Sequence, residues 1–174
     1  TRDSPGATRR TGSRRGDAPM TRTPQFEQLL ATHDVVPHTA EVGEVMGLYT
    51  KAIRAMADSE LAGLSAEGAV TRAYDAARLA ATAVLHRAGY RVKSTTGHHH
   101  RLFYALKYLG EPAFAPMADR LEAARNARRD AAYDARTDDV FFQEELAALH
   151  HTLHELLPVV HAWLTSRGVS SLPH

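Results

Sequence analysis

The apolar seam of the C-terminal segment is the sequence feature that most constrains the fold. Its members recur at alternating spacings of four and three residues: Phe142, Leu146, Leu149, Leu153, Leu156, Val160 and Trp163. This alternation is typical of an amphipathic helix that buries one face against other helices. Gly168 follows the seam, and glycine commonly ends a helix. Because such a face contributes stability only when it is covered, the seam predicts a bundle of helices.

Two more helical patterns follow His38. The apolar stripe of a first helix, which we expect His38 or Thr39 to cap, consists of Val42, Met46, Tyr49, Ile53 and Met56. Ser65 predicts the N-cap of a second helix that ends at Gly89. The inward face of this second helix is rich in alanine, and small side chains let helix axes approach closely. We therefore expect it at the centre of the bundle.

The remaining segments complete an all-α interpretation. A polar connection over 90–97 precedes a third helix over 98–109, and a fourth helix spans about 112–135. Thr137, Asp138 and Asp139 are expected to cap the fifth helix, which carries the seam. No segment shows an extended strand-like alternation. The prediction is an up-and-down helical bundle of about five helices over 38–168, with a linker or short helix over 24–37 and a tail over 169–174.

Composition narrows the classes of function. The chain has 174 residues, 44% of them hydrophobic, which suits one globular domain. It contains no cysteine, which excludes disulfides, thiolate metal sites and a cysteine nucleophile. No apolar run reaches the roughly 18 residues of a membrane helix, and the first twenty residues lack the apolar core of a signal peptide. We expect a cytoplasmic location and no membrane partner.

Charge is spread unevenly along the chain. The first 22 residues hold six arginines and two aspartates, whereas the rest holds fifteen basic and eighteen acidic residues. We expect residues 1–23 to form a disordered basic tail. Met20 stands where a native start could lie, and we expect the residues before it to be an extension without function. Since the remainder is mildly acidic, any contact with nucleic acid has to be local.

Two arginines interrupt the apolar stripe of the fourth helix. Phe114, Ala118 and Leu121 recur at helical spacing, and the next stripe positions are Arg125 and Arg128. A buried guanidinium is costly unless it is paired. The pattern leaves two interpretations open: a crevice for an anionic ligand, or arginines at the rim of the seam with buried stems and solvated heads. Asn126, Arg129 and Tyr133 form a polar edge beside them.

Metal and cofactor sites are not predicted. His150 and His154 lie four residues apart, and His161 lies two turns further on, but no third ligand or His-Glu-x-x-His pattern accompanies them. We expect these histidines to face solvent. Phosphate-binding glycine loops, nucleophile elbows and dinucleotide fingerprints do not occur. We therefore expect no cofactor and no metal.

Residues 39–167 resemble a HEPN domain, a helical bundle that binds nucleotides and RNA. Three stretches carry the resemblance. AYDAARLAATAVLHRAGY (73–90) is similar to the alanine-rich second helix, TTGHHHRLFYAL (95–106) to the next helix with its Gly-His opening, and LEAARNARRDAAYD (121–134) to the signature helix. Arg125-Asn126 and Tyr133-Asp134 match the ends of that signature. Among subfamilies, the stand-alone actinobacterial HEPN proteins look most similar.

The resemblance implies a phosphate-binding site and a homodimer. Arg125 and Arg128 would hold phosphate oxygens of a nucleotide or RNA, Asn126 would hydrogen-bond base or ribose, and Tyr133 would stack or donate its hydroxyl. Either arginine could be the signature residue: Arg125 gives the Arg-Asn pair, and Arg128 gives the R-x-x-A-x-Y spacing. His99 and Asp130 are possible accessory residues.

The resemblance also bears on catalysis. HEPN ribonucleases place a histidine four to six residues after the signature arginine, where it serves as acid or base without a metal. Those positions hold Asp, Ala or Tyr in this chain, so we expect binding without cleavage and no catalytic residue. Two alternatives remain. One is a weak or conditional metal-independent endoribonuclease of the toxin or stress type, and the other is a helical interaction module for a cognate protein partner.

Overall fold

The computed structural model describes residues 21–93, 98–131 and 139–174, without the side chains of 98–100, 130 and 131. This part of the chain contains six α-helices, one 3₁₀ turn and two short strands. Their bounds are α1 Pro24–Ala31, β1 Val35–Pro37, α2 Val42–Ser59, α3 Ala66–Arg87, β2 Tyr90–Val92, α4 His98–Tyr108, a 3₁₀ turn Pro112–Phe114, α5 Ala115–Ala131 and α6 Asp139–Ser166. The mostly helical prediction is confirmed.

Helix α3 lies at the centre, as its small residues predict. It packs against α2, α4 and α6, while α5 packs against α4 and α6. Ala73, Ala76, Ala77, Ala80 and Ala81 of α3 are completely buried. The Ser65 hydroxyl accepts the Gly68 N–H at 3.1 Å, which confirms the expected N-cap. Because alanine adds little volume, the axis of α3 can lie close to several neighbouring helices at once.

A two-stranded antiparallel sheet was not predicted. Val35 pairs with Val92, Val36 with Arg91, and Pro37 with Tyr90. Strand β2 occupies part of the segment expected to be a polar connection. Three-residue strands are too short to show an alternating pattern, and their pairing depends on tertiary contact across more than fifty residues. The all-α prediction is therefore wrong in this detail, although the strands are a small part of the fold.

The buried stripe of α2 differs from the predicted stripe. Tyr49 and Met56 are buried as expected, but Val42 at the first turn is 46% exposed. The buried positions of α2 include smaller residues that the predicted stripe lacks, and the full set is Val45, Tyr49, Ala52, Ala55, Met56 and Ser59. The residue that precedes the helix is Glu41, not His38 or Thr39. This rotation turns Ala52 inward, which suits close packing of α2 against the alanine face of α3.

Both predicted tails contribute to the folded body. Thr23 caps α1 and its hydroxyl also donates to the Tyr108 carbonyl at 2.6 Å, so the expectation of disorder is wrong for this last residue of the predicted tail. Residues 1–20 lie outside the described residues. At the other end, Val169 and Leu172 are buried in the core, which contradicts their assignment to a tail. Gly110 has φ +100°, and a Cβ there would lie 2.2 Å from the Thr21 carbonyl oxygen.

The seam of α6 is buried over most of its length. Leu149, Leu153, Leu156, Val160 and Trp163 belong to the core, while Phe142 and Leu146 are partly buried against it. The expected stop at Gly168 is confirmed by its φ of +81°. The capping residues proposed for α6 and the last residues expected in the fourth helix lie partly outside the described ranges. Within the described part of the chain, no helix is both long and apolar enough to cross a bilayer.

Candidate functional site

Helix α5 changes from an apolar to a charged inner face. Phe114 and Leu121 are completely buried, and Ala124 is 8% exposed. Within the next turn of the helix, Arg125 and Arg128 are half-buried. The arginine side chains therefore lie at the margin of the core, as the sequence pattern predicts. Each guanidinium needs polar partners there, and the two arginines find different ones.

Arg125 is paired within its own helix. Its Nε and Nη2 atoms donate to Glu122 Oε1 at 3.1 and 3.0 Å. Nη2 also donates to Asn126 Oδ1 at 3.0 Å. The ion pair neutralises the guanidinium and explains how a half-buried arginine is accommodated one turn after the core. The Asn126 side-chain oxygen is consequently engaged by Arg125.

Arg128 has a different environment. Its guanidinium carbon lies 4.7 Å from the centre of the Tyr74 ring, and Nη2 donates to Thr71 Oγ1 at 3.3 Å. The Thr71 hydroxyl in turn donates to the Glu67 carbonyl oxygen at 3.0 Å. No carboxylate among the described residues lies within 4.0 Å of the Arg128 guanidinium. Arg128 therefore retains its full positive charge and N–H donors beyond those that Thr71 accepts.

The Tyr74 ring stacks against the Arg128 guanidinium. The side chain is 7% exposed, and its ring contacts Phe103 edge to face with centroids 5.8 Å apart. Burial raises the pKa of Tyr74 to about 12, while Arg125 and Arg128 act in the opposite direction. The phenol is therefore neutral near neutral pH. A rigid, buried ring fixes the position of the Arg128 guanidinium by cation–π contact.

A carboxylate from α6 lies near the arginines. Burial raises the pKa of the Glu145 carboxyl, and the charge of Arg128 opposes that rise. Glu145 Oε2 is buried and has no hydrogen-bond partner among the described residues. The carboxylate also borders a groove of about 380 Å³ between α5 and α6, whose other lining residues are Arg120, Ala123, Ala124, Ala127, Ala148, Leu149, His151 and Thr152. Glu145 thus opposes anion binding when it is ionised.

The structure places three of the residues singled out from the sequence in the last turns of α5, namely Arg125, Asn126 and Arg128: Arg125 contacts Asn126, whereas Arg128 contacts α3. The rest fall outside what it describes: Tyr133 altogether, and the side chains of His99 and Asp130. Sequence analysis missed Thr71, Tyr74 and Glu145, which come from α3 and α6. The sequence does contain one indication of Tyr74, because a large polar aromatic residue interrupts an alanine-rich helical stretch there. Nothing in the sequence places it beneath Arg128.

A second polar cluster lies at the other end of α3. Glu44 Oε1 accepts hydrogen bonds from His86 Nδ1 at 2.6 Å and His38 Nε2 at 3.1 Å. The imidazole centroids are 4.4 Å apart. Hydrogen bonding from His38 lowers the pKa of the Glu44 carboxyl. Burial lowers the pKa of the His86 imidazole, and its hydrogen bond to Glu44 acts in the opposite direction.

The histidines of α6 do not all face solvent as expected. His150 is half-buried, and its Nε2 lies 2.9 Å from the hydroxyl of the buried Ser59. His154 is exposed, with Nε2 3.6 Å from Glu60 Oε1. His161 lies against the Tyr49 ring. The prediction of solvent exposure is wrong for His150 and for His161, which is also half-buried, because α6 turns the first toward the end of α2 and the second toward Tyr49.

Comparisons with protein-family models, curated proteins and solved structures found no match to this chain.

Proposed function

We propose that the arginine face of α5 binds the phosphate of a nucleotide or RNA, with Arg128 as the principal contact. The observation that supports this proposal is the environment of Arg128: a half-buried guanidinium stacked on Tyr74, with the Thr71 hydroxyl as its only hydrogen-bond acceptor among the described residues. A guanidinium held in this way is oriented before a ligand arrives. Its fork of N–H donors matches the oxygens of a phosphate group.

The setting of Arg128 strengthens the interaction with an anion. Charge-assisted hydrogen bonds contribute about 1.5 to 3 kcal/mol, roughly twice the value for neutral pairs. A half-buried position lowers the effective dielectric constant, so a phosphate is attracted more strongly there than by an exposed arginine. Tyr74 limits the rotamers of the guanidinium, which reduces the entropy lost when the ligand binds.

Arg125 and Asn126 have supporting roles in this proposal. Glu122 neutralises Arg125, so Arg125 is the weaker of the two phosphate contacts and helps to position Asn126. With its carbonyl oxygen held by Arg125, Asn126 presents Nδ2 toward a ribose or base. The signature arginine of the HEPN resemblance would then be Arg128. Tyr133 stays a predicted contact, and homodimer formation stays a prediction from the resemblance.

We propose binding without cleavage. Among the described residues, the partners of Arg125 and Arg128 are a carboxylate, an amide, a hydroxyl and an aromatic ring. None of these is an imidazole, the side chain that most readily exchanges a proton near neutral pH. This agrees with the missing histidine of the signature helix.

Binding can be tested by fluorescence anisotropy with a short labelled RNA, and with ATP as competitor. The Arg128→Ala protein should bind roughly tenfold to hundredfold more weakly, because a charge-assisted contact is lost. The RNA affinity of Arg128→Lys should lie between those of the parent protein and Arg128→Ala, since lysine keeps the charge but lacks the planar fork of N–H donors. Arg125→Ala should have a smaller effect than Arg128→Ala.

The chain offers a matched control. Arg167 stacks on Trp163 with its guanidinium carbon 4.3 Å from the ring, at the far end of α6. Arg167→Ala removes the same kind of contact and the same charge, and it should leave RNA affinity unchanged. Equal losses in the two variants, or no loss in Arg128→Ala, would contradict the proposal. RNA cleavage on a gel that disappears in Arg128→Ala would instead favour the endoribonuclease.

A further inference from the structure

Three side chains from three separate elements converge beside the small sheet. His38 follows β1, Glu44 lies in the first turn of α2, and His86 lies in the last turn of α3. One nitrogen of each imidazole and one oxygen of the carboxylate all lie within 4.8 Å of one another. Among the side chains that the structure describes, no other three His or acidic groups converge in this way.

The backbone holds each of these residues in place. The pairing of β1 with β2 continues into a hydrogen bond from the His38 N–H to the Gly89 carbonyl oxygen at 2.8 Å. Gly89 adopts φ +92° two residues after α3 ends at Arg87 and turns the chain into β2. The Glu44 N–H donates to the Glu41 carbonyl oxygen at 3.0 Å. The cluster is therefore built from the ends of regular elements and not from a long loop.

The donor set suits a transition metal. Two imidazole nitrogens and one carboxylate oxygen form the ligand set of many zinc sites and of some other divalent transition-metal sites. Both imidazole N–H groups now point at the same Glu44 oxygen, at 3.1 and 2.6 Å. A tetrahedral zinc ion about 2.1 Å from its ligands keeps them roughly 3.4 Å apart. Small rotations of the three side chains would meet this spacing, with each neutral imidazole binding the metal through the nitrogen that now faces Glu44 and carrying its proton on the other ring nitrogen.

We infer that His38, Glu44 and His86 bind one divalent transition-metal ion of the zinc class, with an open fourth position for water. The Glu44 side chain is 40% exposed and the His38 side chain 25% exposed, so solvent can reach the fourth position. Calcium and magnesium fit poorly, because they prefer oxygen ligands. The ion would connect the end of β1, the start of α2 and the end of α3.

This site is separate from the proposed phosphate site. Tyr74 and His86 lie twelve residues apart on α3, which corresponds to about 18 Å along the helix. A metal at His86 would therefore not contact Arg128 or a phosphate bound to it. The two proposals can fail independently, because each is read out by a different ligand and a different set of variants.

The experiment is a titration of the full chain with Co²⁺ and then Zn²⁺, after removal of metal with a chelator. Co²⁺ should bind with one equivalent and give visible ligand-field absorption, and Zn²⁺ should displace it. Consecutive histidines can bind such ions adventitiously, so the titration is repeated in His98→Ala/His99→Ala/His100→Ala. The same single site should persist in that background, while Mg²⁺ and Ca²⁺ should leave the absorption unchanged.

Three variants assign the ligands. Glu44→Gln keeps the size of the side chain and should weaken Co²⁺ binding at least about tenfold, and His38→Ala or His86→Ala should weaken it about a hundredfold. His151→Ala is the control, because His151 pairs with Glu155 at 3.2 Å on the exposed surface without a third ligand. Thermal unfolding in chelator verifies that each variant is folded.

The inference is overturned by any of three results. These are no saturable Co²⁺ or Zn²⁺ binding, binding that disappears with the His98–His100 run, or binding that Glu44→Gln and His38→Ala leave unchanged. Since His38 and Glu44 are partly exposed, their substitution should leave the fold intact even if His86→Ala does not.

Discussion

The two ends of α3 hold polar side chains in opposite electrostatic conditions. Near its start, Arg128 stacks on Tyr74, and no carboxylate among the described residues lies within ion-pair distance of its guanidinium. Near its end, His86, Glu44 and His38 satisfy one another through a single shared oxygen. The first arrangement favours an incoming anion, because N–H donors remain. The second favours a cation, because two imidazole nitrogens and a carboxylate oxygen converge there. Local partners, more than residue type, decide which ligand each end attracts.

Both ends depend on the close packing of α3, and overpacking its centre should produce the largest effect. Ala80 is completely buried. Ala80→Leu should lower the free energy of unfolding by about 1 to 3 kcal/mol, because the added atoms force the neighbouring helices apart. Urea unfolding monitored by circular dichroism measures the change. The two ends of α3 keep their environments only while this packing is intact.

Ala147→Leu is the control for this substitution. Ala147 is exposed on α6, where leucine and alanine differ little in helix propensity. Its unfolding free energy should stay within about 0.5 kcal/mol of the parent value. Equal stability of Ala80→Leu and the parent would mean that α3 is not as closely packed as its alanine face indicates.

The sequence predicted those parts of the fold that depend on periodicity and capping. The Ser65 cap, the alanine face of α3 and the seam of α6 all arise from local patterns within one helix. The predicted apolar stripe of α2 was wrong in part, because the helix is rotated about its axis relative to the prediction. Hydrophobicity alone does not show that Ala52 packs inward while Val42 is exposed. Strands β1 and β2 were missed because each has three residues and gains its structure from the other.

The candidate sites show the same division between local patterns, which the sequence reveals, and contacts between distant elements, which it does not. The position of Arg125 and Arg128 at the margin of the core followed from helical spacing along α5. Their partners did not: Tyr74 reaches Arg128 from α3, which is more than fifty residues earlier in the chain. The cluster of His38, Glu44 and His86 could not be read from spacing either, because its members belong to three different elements. Helical spacing instead indicated the histidines of α6, which share one helix.

The charge of Glu145 provides a test of the environment of Arg128. Glu145 is a partly buried carboxylate close enough to Arg128 to interact with its charge. Glu145→Gln removes one negative charge and should raise phosphate affinity by roughly twofold to fivefold, since a ligand then meets less repulsion. RNA anisotropy at low and moderate salt measures the gain, which should shrink as salt increases.

Glu144→Gln is the matched control for that charge. Glu144 precedes Glu145 in α6 but is exposed to solvent, where its charge is well screened. Affinity should change much less than in Glu145→Gln. Equal gains in both variants would indicate a general effect of net charge, and the local account of Arg128 would be wrong.

The smallest expected effect concerns pH at the other end of α3. Burial lowers the pKa of His86 below its ordinary value of 6.5, so the unfolded chain takes up a proton before the folded chain does. Stability should therefore fall as the pH decreases below about 6.5. His38, Glu44 and Arg91 act electrostatically on this imidazole, and the lowered pKa of Glu44 preserves its negative charge through the same range. Half-buried His150 contributes to the fall in the same direction.

Urea midpoints between about pH 7.5 and pH 5.5, measured in chelator, test this account. His86→Gln should show a shallower loss of stability on acidification than the parent, because one of the groups with a lowered pKa is gone. His151→Gln should keep the parent slope, since His151 is 69% exposed. Glu44→Gln should steepen the loss, because the carboxylate that favours imidazolium at His86 is removed. An unchanged slope in His86→Gln would mean that the imidazole is protonated as easily in the folded chain as in the unfolded one.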